Sequence, residues 1–514
     1  MTVNERMSVP IWKKIIAIFI SFFILALQLF IIYTLFNVDF LIIDTAWIYY
    51  LTFSIGIIYV LYIIHKPMSS SYKLTWSILI LIFPVFFCSL YSLNSTSRRL
   101  SKRKRNKIKN GIKAIPINDN KYELTLESYE YTNLVNVIQA SEYVPVLKNC
   151  KYTFFPEIGR KFEDLLFETR NAKKFILIET FILSSGKLMD MLYPVLEQKG
   201  KEGVKIRILY DDIGSRGRVN RKLIKKLLQI DNCIINNYQP LGLNLNFLVN
   251  YRDHRKIYII DGKIAYCGGD NLADEYVHFK ERFGYWRDNC GKFQGKIVKS
   301  FLNMFAEMWY TSTKQILDKE FFDVKDDIFL DNKGYMIAFG DGPSNNANPA
   351  YDLFQSMICS ATKYVYISTP YFIIDDVMIS TIALKAKSGV DVCILTPKIP
   401  DKKSVFYMSR ENYRDILKAG GRVYEYTPGF NHAKNIIVDD KKAFIGTINM
   451  DYRSLFLHYE CGALILDDPE IIKMKQDFEK AILESEEVDY IKWKKRPWYQ
   501  RLSAFILNLF APLF

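Results

Sequence analysis

Two octapeptides of one form, His-x-Lys-x4-Asp, stand 178 residues apart in this chain of 514: HRKIYIID at 254–261 and HAKNIIVD at 432–439. Each is followed by a Gly-rich turn ending on an Asn (GGDN at Asn271, GTIN at Asn449), and the interval from His to Asn is 17 residues in both copies. A fold that gives both phrases equivalent settings is a duplicated one, and self-similarity elsewhere agrees. AKKFILIETFI at 172–182 parallels ATKYVYISTPYFI at 361–373, and KEGVKIRILYD at 201–211 parallels KSGVDVCILTP at 387–397. The apolar runs read as strands and the charged, amphipathic stretches between them as helices. Strand, helix, strand and then the phrase, twice over, predicts two tandem α/β sandwich halves forming one active site.

The residue types of the phrase suit one substrate group. His and Lys at i and i+2 of a strand point to one face, so His254 lies with Lys256 and His432 with Lys434. Asp261 and Asp439 fall at odd offset, at the strand end, where parity turns them away and favours a structural role. Phosphodiester oxygens gain negative charge as a fifth ligand adds to phosphorus, and ammonium and amide donors stabilise it. One imidazole attacks while the other moves the proton of the leaving and then the entering alcohol. A carboxylate on the other ring nitrogen orients such a His, and Glu460 (LHYECG) and Asp288 (YWRDN) are the candidates. Five His in all, with no HExxH and no paired CxxC, give no metal site and no cofactor.

These residues resemble the phospholipase D superfamily, whose HxKxxxxD motif is intact in both copies. Within it the chain is similar to the bacterial cardiolipin synthases, which place a membrane anchor first, a GYWRD-like segment (284–288 here) after the first motif and a basic, aromatic tail last. The resemblance implies an active site of His254, Lys256, Asp261, His432, Lys434 and Asp439, with Asn271, Asn449, Asp288 and Glu460 around the substrate. It implies a phosphatidyltransferase that joins two phosphatidylglycerols into cardiolipin and glycerol through a phosphohistidine. The alternative is a membrane-bound phospholipase D-type hydrolase of the same fold. His254 is taken as the nucleophile on the family's leaning; the symmetry of the repeat leaves the reverse open.

Apolar runs at 15–36, 45–64 and 75–93 are each near the roughly 20 residues that cross a bilayer. They predict a multi-pass anchor of two to three transmembrane helices in the cell membrane. Lys and Arg around the first two runs put the N-terminus and the second loop inside. Nine more at 98–113 oppose export of the catalytic halves, so the side bearing the active site stays open. Those nine, with Lys492, Lys494, Lys495, Arg496 and Arg501, account for the net charge of +14. The remainder is near neutral, which disfavours nucleic acid as a partner and favours basic clusters on an anionic lipid surface. The expected organisation is an anchor (1–95), a basic linker and entry segment (96–150), two halves (151–325 and 326–490) and an interfacial tail (491–514). Eight unpaired-looking Cys read as reduced, mostly buried thiols.

Overall fold

The computed structural model describes residues 42–66, 70–94, 129–140, 144–239, 251–323, 334–345 and 347–511. The first apolar run, the basic stretch 98–113 and residues 240–250 lie outside them. The chain falls into two compact units, one with the N-terminal helices and the C-terminal end, the other with both α/β halves.

In the N-terminal unit the second apolar run is the helix Ile42–Ile64, and its Trp47, Leu51, Ile58 and Leu61 side chains are exposed. The third run is not one span. It is two helices, Ser70–Ile82 and Pro84–Asn94, of 13 and 11 residues. Pro84 has no N–H to continue a helix from the preceding turn, and its fixed φ suits a first helical position, so the break falls on it. Among the described residues no helix is long and apolar enough to cross a membrane. Ile63, Trp76, Ile80 and Tyr91 close a small core, with the Trp76 and Tyr91 rings edge to face at 5.1 Å.

The larger unit holds two sheets of the same plan. The first runs Lys151–Phe155, Cys290–Gln294, Ile264–Gly268, Ile257–Ile260, Phe175–Thr180, Lys205–Asp211, Cys233–Tyr238 in spatial order. The second runs Tyr335–Asp341, Glu460–Leu466, Lys442–Gly446, Asn435–Val438, Tyr364–Ser368, Asp391–Pro397, Arg422–Tyr426 and adds Ser485–Glu487 at its edge. The βαβ parts pair parallel and the motif hairpins antiparallel in both. Leu177, Ile259 and Ala265 of the first sheet share one buried core with Ile437, Ala443 and Ile465 of the second. The helices Ile297–Thr313 and Glu470–Leu483 contribute Phe301, Phe305, Met474 and Phe478 to it. Phe372 is fully buried in the second half's outer core. The entry segment contains a helix, Tyr129–Gln139, whose Leu134, Val135 and Ile138 pack into that same outer core.

The motif Asp residues show what their parity means. Asp261 accepts from the amides of Lys173, Lys174 and Phe175 at 2.7–2.9 Å. Asp439 accepts from Thr362, Lys363 and Tyr364 in the same way, and from the Thr362 hydroxyl at 2.8 Å. Each clasps the start of the strand that pairs with its own. Burial alone would raise the Asp439 carboxyl, but these donors outweigh it and hold it below the usual range. Both also turn the hairpin: Asp261 and Gly262 have φ of 53° and 65°, Asp439 and Asp440 of 54° and 60°. The second turn is thus Asp439-Asp440, with two Asp in the left-handed region that Asp tolerates better than most residues. Asp439→Ala should cost on the order of 3 kcal/mol, because it orphans three backbone donors. Thermal unfolding of the solubilised protein measures this, and an unchanged midpoint would contradict it.

Candidate active site

Each motif His stands just ahead of its strand, where the backbone crosses to the other half. His254 N donates to Tyr459 O at 2.9 Å, and Tyr459 N donates to Arg252 O at 2.8 Å. In the mirror position Gly429–Asn431 pairs parallel with Tyr285–Arg287, and His432 N donates to Arg287 O at 2.7 Å. These crossings decide which carboxylate meets which ring. Glu460 of the second half takes His254 Nδ1 at 2.9 and 3.0 Å, and Asp288 of the first half takes His432 Nδ1 at 2.6 Å. Each half therefore orients the other's imidazole, leaving Nε2 as the ring nitrogen free to react.

The supports around the two carboxylates differ. In the first copy Gly269 lies against Asp288, and any side chain there would collide with the carboxylate. In the second copy Thr447 takes the equivalent position and donates its hydroxyl to Glu460. Arg255, fully buried, donates to Glu460 O at 3.0 Å, to Met304 O at 2.9 Å and to Glu307 at 3.1 Å, which fixes the strand carrying Glu460.

Lys256 and Lys434 are almost completely buried, and each ammonium bonds the carbonyl of its own motif His. Burial, then the neighbouring lysines, pushes both imidazoles well below their ordinary value, so the rings are neutral at pH 7. Burial also lowers Lys256, and brings Lys434 down to about 7. Asp288 is pushed up to about 6 by burial, against the pull of Lys434. A site with its cations this poorly solvated is short of an anion.

Other sequence-derived candidates are placed differently. Asp261 and Asp439 clasp backbone amides beyond the far ends of the motif strands, so the structure does not bring them to the rings. Asn271 takes the Ile182 amide on its carbonyl at 2.9 Å and gives its NH2 to Tyr276 at 2.6 Å, so it staples a loop. Asn449 is buried and its carbonyl oxygen has no partner. Sequence reasoning missed the ring walls: Phe181 lies edge-on to His254 at 4.8 Å, and Tyr276 and Trp286 each lie 5.5 Å from His432. It also missed His458, whose ring is 5.4 Å from that of His254 and which burial pushes down to about 4. The string LHYECG placed His458 two residues from Glu460. A lone His without motif spacing gave no further signal.

Duplicated sheets that exchange carboxylates across a pair of His-Lys phrases are the two-lobed phospholipase D-like architecture. The family model described as "Cardiolipin synthase, PLD-like domain" matches residues 165–309 and 354–482, and the chain belongs to that family. A protein called cardiolipin synthase 2 in Bacillus anthracis is 34% identical over 450 residues, which cover 86% of this chain and 87% of that one. The cardiolipin synthase of Alkalihalophilus pseudofirmus is 32% identical over 454 residues, covering 86% and 88%. An uncharacterised protein of Streptococcus mutans is 36% identical over 460 residues, 88% of this chain and 99% of that one. The crystal structure of a phosphatidylserine synthase from Haemophilus influenzae shares the fold at 17% identity, with a TM-score of 0.56 over 75% of this chain and 97% of that one.

Proposed function

We propose that the chain is a cardiolipin synthase, moving a phosphatidyl group from one phosphatidylglycerol to another through a covalent phosphohistidine. The observation that carries the reading is the exchanged pair of rings. Two neutral imidazoles have Nδ1 tied to a carboxylate of the opposite half, with two buried ammoniums beside them. His254 Nε2 attacks phosphorus, the bond from phosphorus to the headgroup glycerol breaks, and His432 gives that oxygen a proton. The bound phosphodiester anion favours the imidazolium that this step needs. The hydroxyl of a second phosphatidylglycerol then returns a proton to His432 and attacks phosphorus, and the N–P bond breaks. One phosphodiester replaces another, so no nucleotide is consumed. Lys256 and Lys434 stabilise the added charge on the phosphoryl oxygens.

Product analysis tests this reading. Headgroup- and acyl-labelled phosphatidylglycerol, given to the solubilised enzyme with a chelator present, should yield cardiolipin and free glycerol. Phosphatidic acid alone would make water the acceptor and the enzyme a hydrolase.

The Lys434 ammonium gives the reaction a pH dependence. In the free enzyme it loses its proton as pH rises through about 7, so kcat/KM should fall above neutrality. Lys434→Arg, whose guanidinium stays charged, should move that fall to higher pH. A pH profile unchanged between the two would contradict the assignment.

Membrane anchoring belongs to the same proposal. The N-terminal apolar runs would hold the chain in the cell membrane as a multi-pass protein, and the tail would meet an anionic lipid surface. The tail is anchored at its start: Trp493 is buried and donates to Arg410 O, and Arg496 pairs with Glu411 at 2.9 Å. From the helix Trp498–Phe510 onward, Trp498, Tyr499, Leu502 and Phe505 are exposed. Removing residues 498–514 takes away Arg501 and the exposed Trp498, Tyr499, Leu502 and Phe505. It should raise the KM for phosphatidylglycerol in anionic micelles by roughly 10-fold, the equivalent of about one lost basic contact plus part of the apolar insertion. Turnover of a water-soluble phosphodiester should not change, and an unaltered micellar KM would sink the interfacial role.

A further inference from the structure

His458 is a buried side chain that the transfer mechanism does not use. Both its ring nitrogens lack a hydrogen-bond partner, and the nearest carboxylate oxygen, Glu460 Oε1, is 3.7 Å from Nδ1, too long for a hydrogen bond. A satisfied core histidine has at least one partner, and an orphaned buried polar group costs free energy that something must offset. The surroundings suggest what that is. His458, His254 and Glu460 each offer a ligand atom, all three residues are buried, and these atoms lie within 4.8 Å of one another. Two imidazoles and a carboxylate are a donor set for a zinc-type ion, which takes water as its fourth ligand. Bonds of about 2.0–2.1 Å need the donors closer together than this, so binding requires the His458 ring to close on the other two.

We propose that His254, His458 and Glu460 form an inhibitory site for a divalent transition-metal ion of the zinc type. The ion takes the place of the proton that His254 Nδ1 now shares with Glu460. A neutral imidazole metallated at Nδ1 carries its proton on Nε2, so the lone pair that attacks phosphorus is gone. Binding breaks the Nδ1–H bond and forms an Nε2–H bond, with no net proton released, and a chelator reverses it. The site is one-sided. At the mirror ring the Lys434 ammonium lies 2.9 Å from His432 Nδ1, beside Asp288, and fills the place an ion would need, whereas Lys256 bonds the His254 carbonyl instead.

The loss of turnover rests on the phosphohistidine reading above; the binding does not. The test is to titrate Zn2+ alone into the solubilised full chain by calorimetry, and Co2+ by its visible absorption, for wild type, His458→Gln and His458→Asn. Wild type should bind one equivalent tightly, give a tetrahedral cobalt spectrum and lose turnover until the metal is chelated. Both variants should bind roughly 100-fold more weakly, at least the loss that removing an outer-sphere partner produces. Because calorimetry and the cobalt spectrum need no turnover, an inactive variant still decides the matter. Wild type without a tight site, or variants that bind and are inhibited like wild type, would overturn the proposal. Metal binding with turnover unaffected would overturn inhibition at His254 while leaving the ligands in place.

Discussion

His254→Ala and His432→Ala should each reduce phosphatidyl transfer by at least roughly 10^4-fold, the scale seen when one member of a nucleophile–base set is removed. The two losses differ in kind. Without His254 no atom remains to bond phosphorus, so the defect holds for every substrate. Without His432 the leaving alcohol goes unprotonated, and a diester with an acidic leaving group, such as a nitrophenol, should recover much of the first step. That split is the useful measurement, since a variant that merely misfolds loses both reactions together. Substantial activity on phosphatidylglycerol in either variant would end the two-histidine mechanism.

Glu460→Gln should lower kcat by roughly 10^3-fold with little change in KM. The amide no longer enforces the tautomer with hydrogen on His254 Nδ1, and a misplaced proton of this sort costs about 10^4 where it has been measured in a Ser-His-Asp enzyme. The carboxylate sits on the second half's strand Glu460–Leu466, yet the step it supports belongs to the first half's ring. Pre-steady-state kinetics should therefore show slowed formation of the covalent intermediate. Asp288→Asn, acting on His432, should instead slow the steps that need proton transfer. Either variant within tenfold of wild type would mean that the exchanged carboxylates do not orient the rings.

What could be read from the chain was what chemistry and local periodicity dictate. The paired phrases, the strand-helix-strand repeats around them and the odd-offset Asp residues are set by neighbours a few positions away. Their parity already turned Asp261 and Asp439 away from the face that His and Lys share. Contacts made by the duplication itself were not legible. Glu460 meets a ring 206 residues away, and Asp288 one 144 residues away, because short parallel crossings couple the two sheets. No spacing within either half encodes that exchange. Asn271 matched the phosphoryl-binding reading by type, yet the loop at Ile182 claimed its amide. In the apolar run 75–93, composition suggested one span and Pro84 divided it. Trp493 looked like part of an interfacial tail, and its indole instead caps a carbonyl of the second half.

Covalent transfer through His254 is tested most closely by catching the intermediate. Acid-sensitive phosphohistidine survives at alkaline pH, so the enzyme should be mixed with excess phosphatidylglycerol, quenched in base and digested for mass spectrometry. A phosphatidyl adduct is expected on the peptide containing His254, accumulating in His432→Ala with an activated substrate and missing in His254→Ala. An adduct on His432 would reverse the roles, and no adduct on either ring under conditions that form product would contradict covalent transfer altogether.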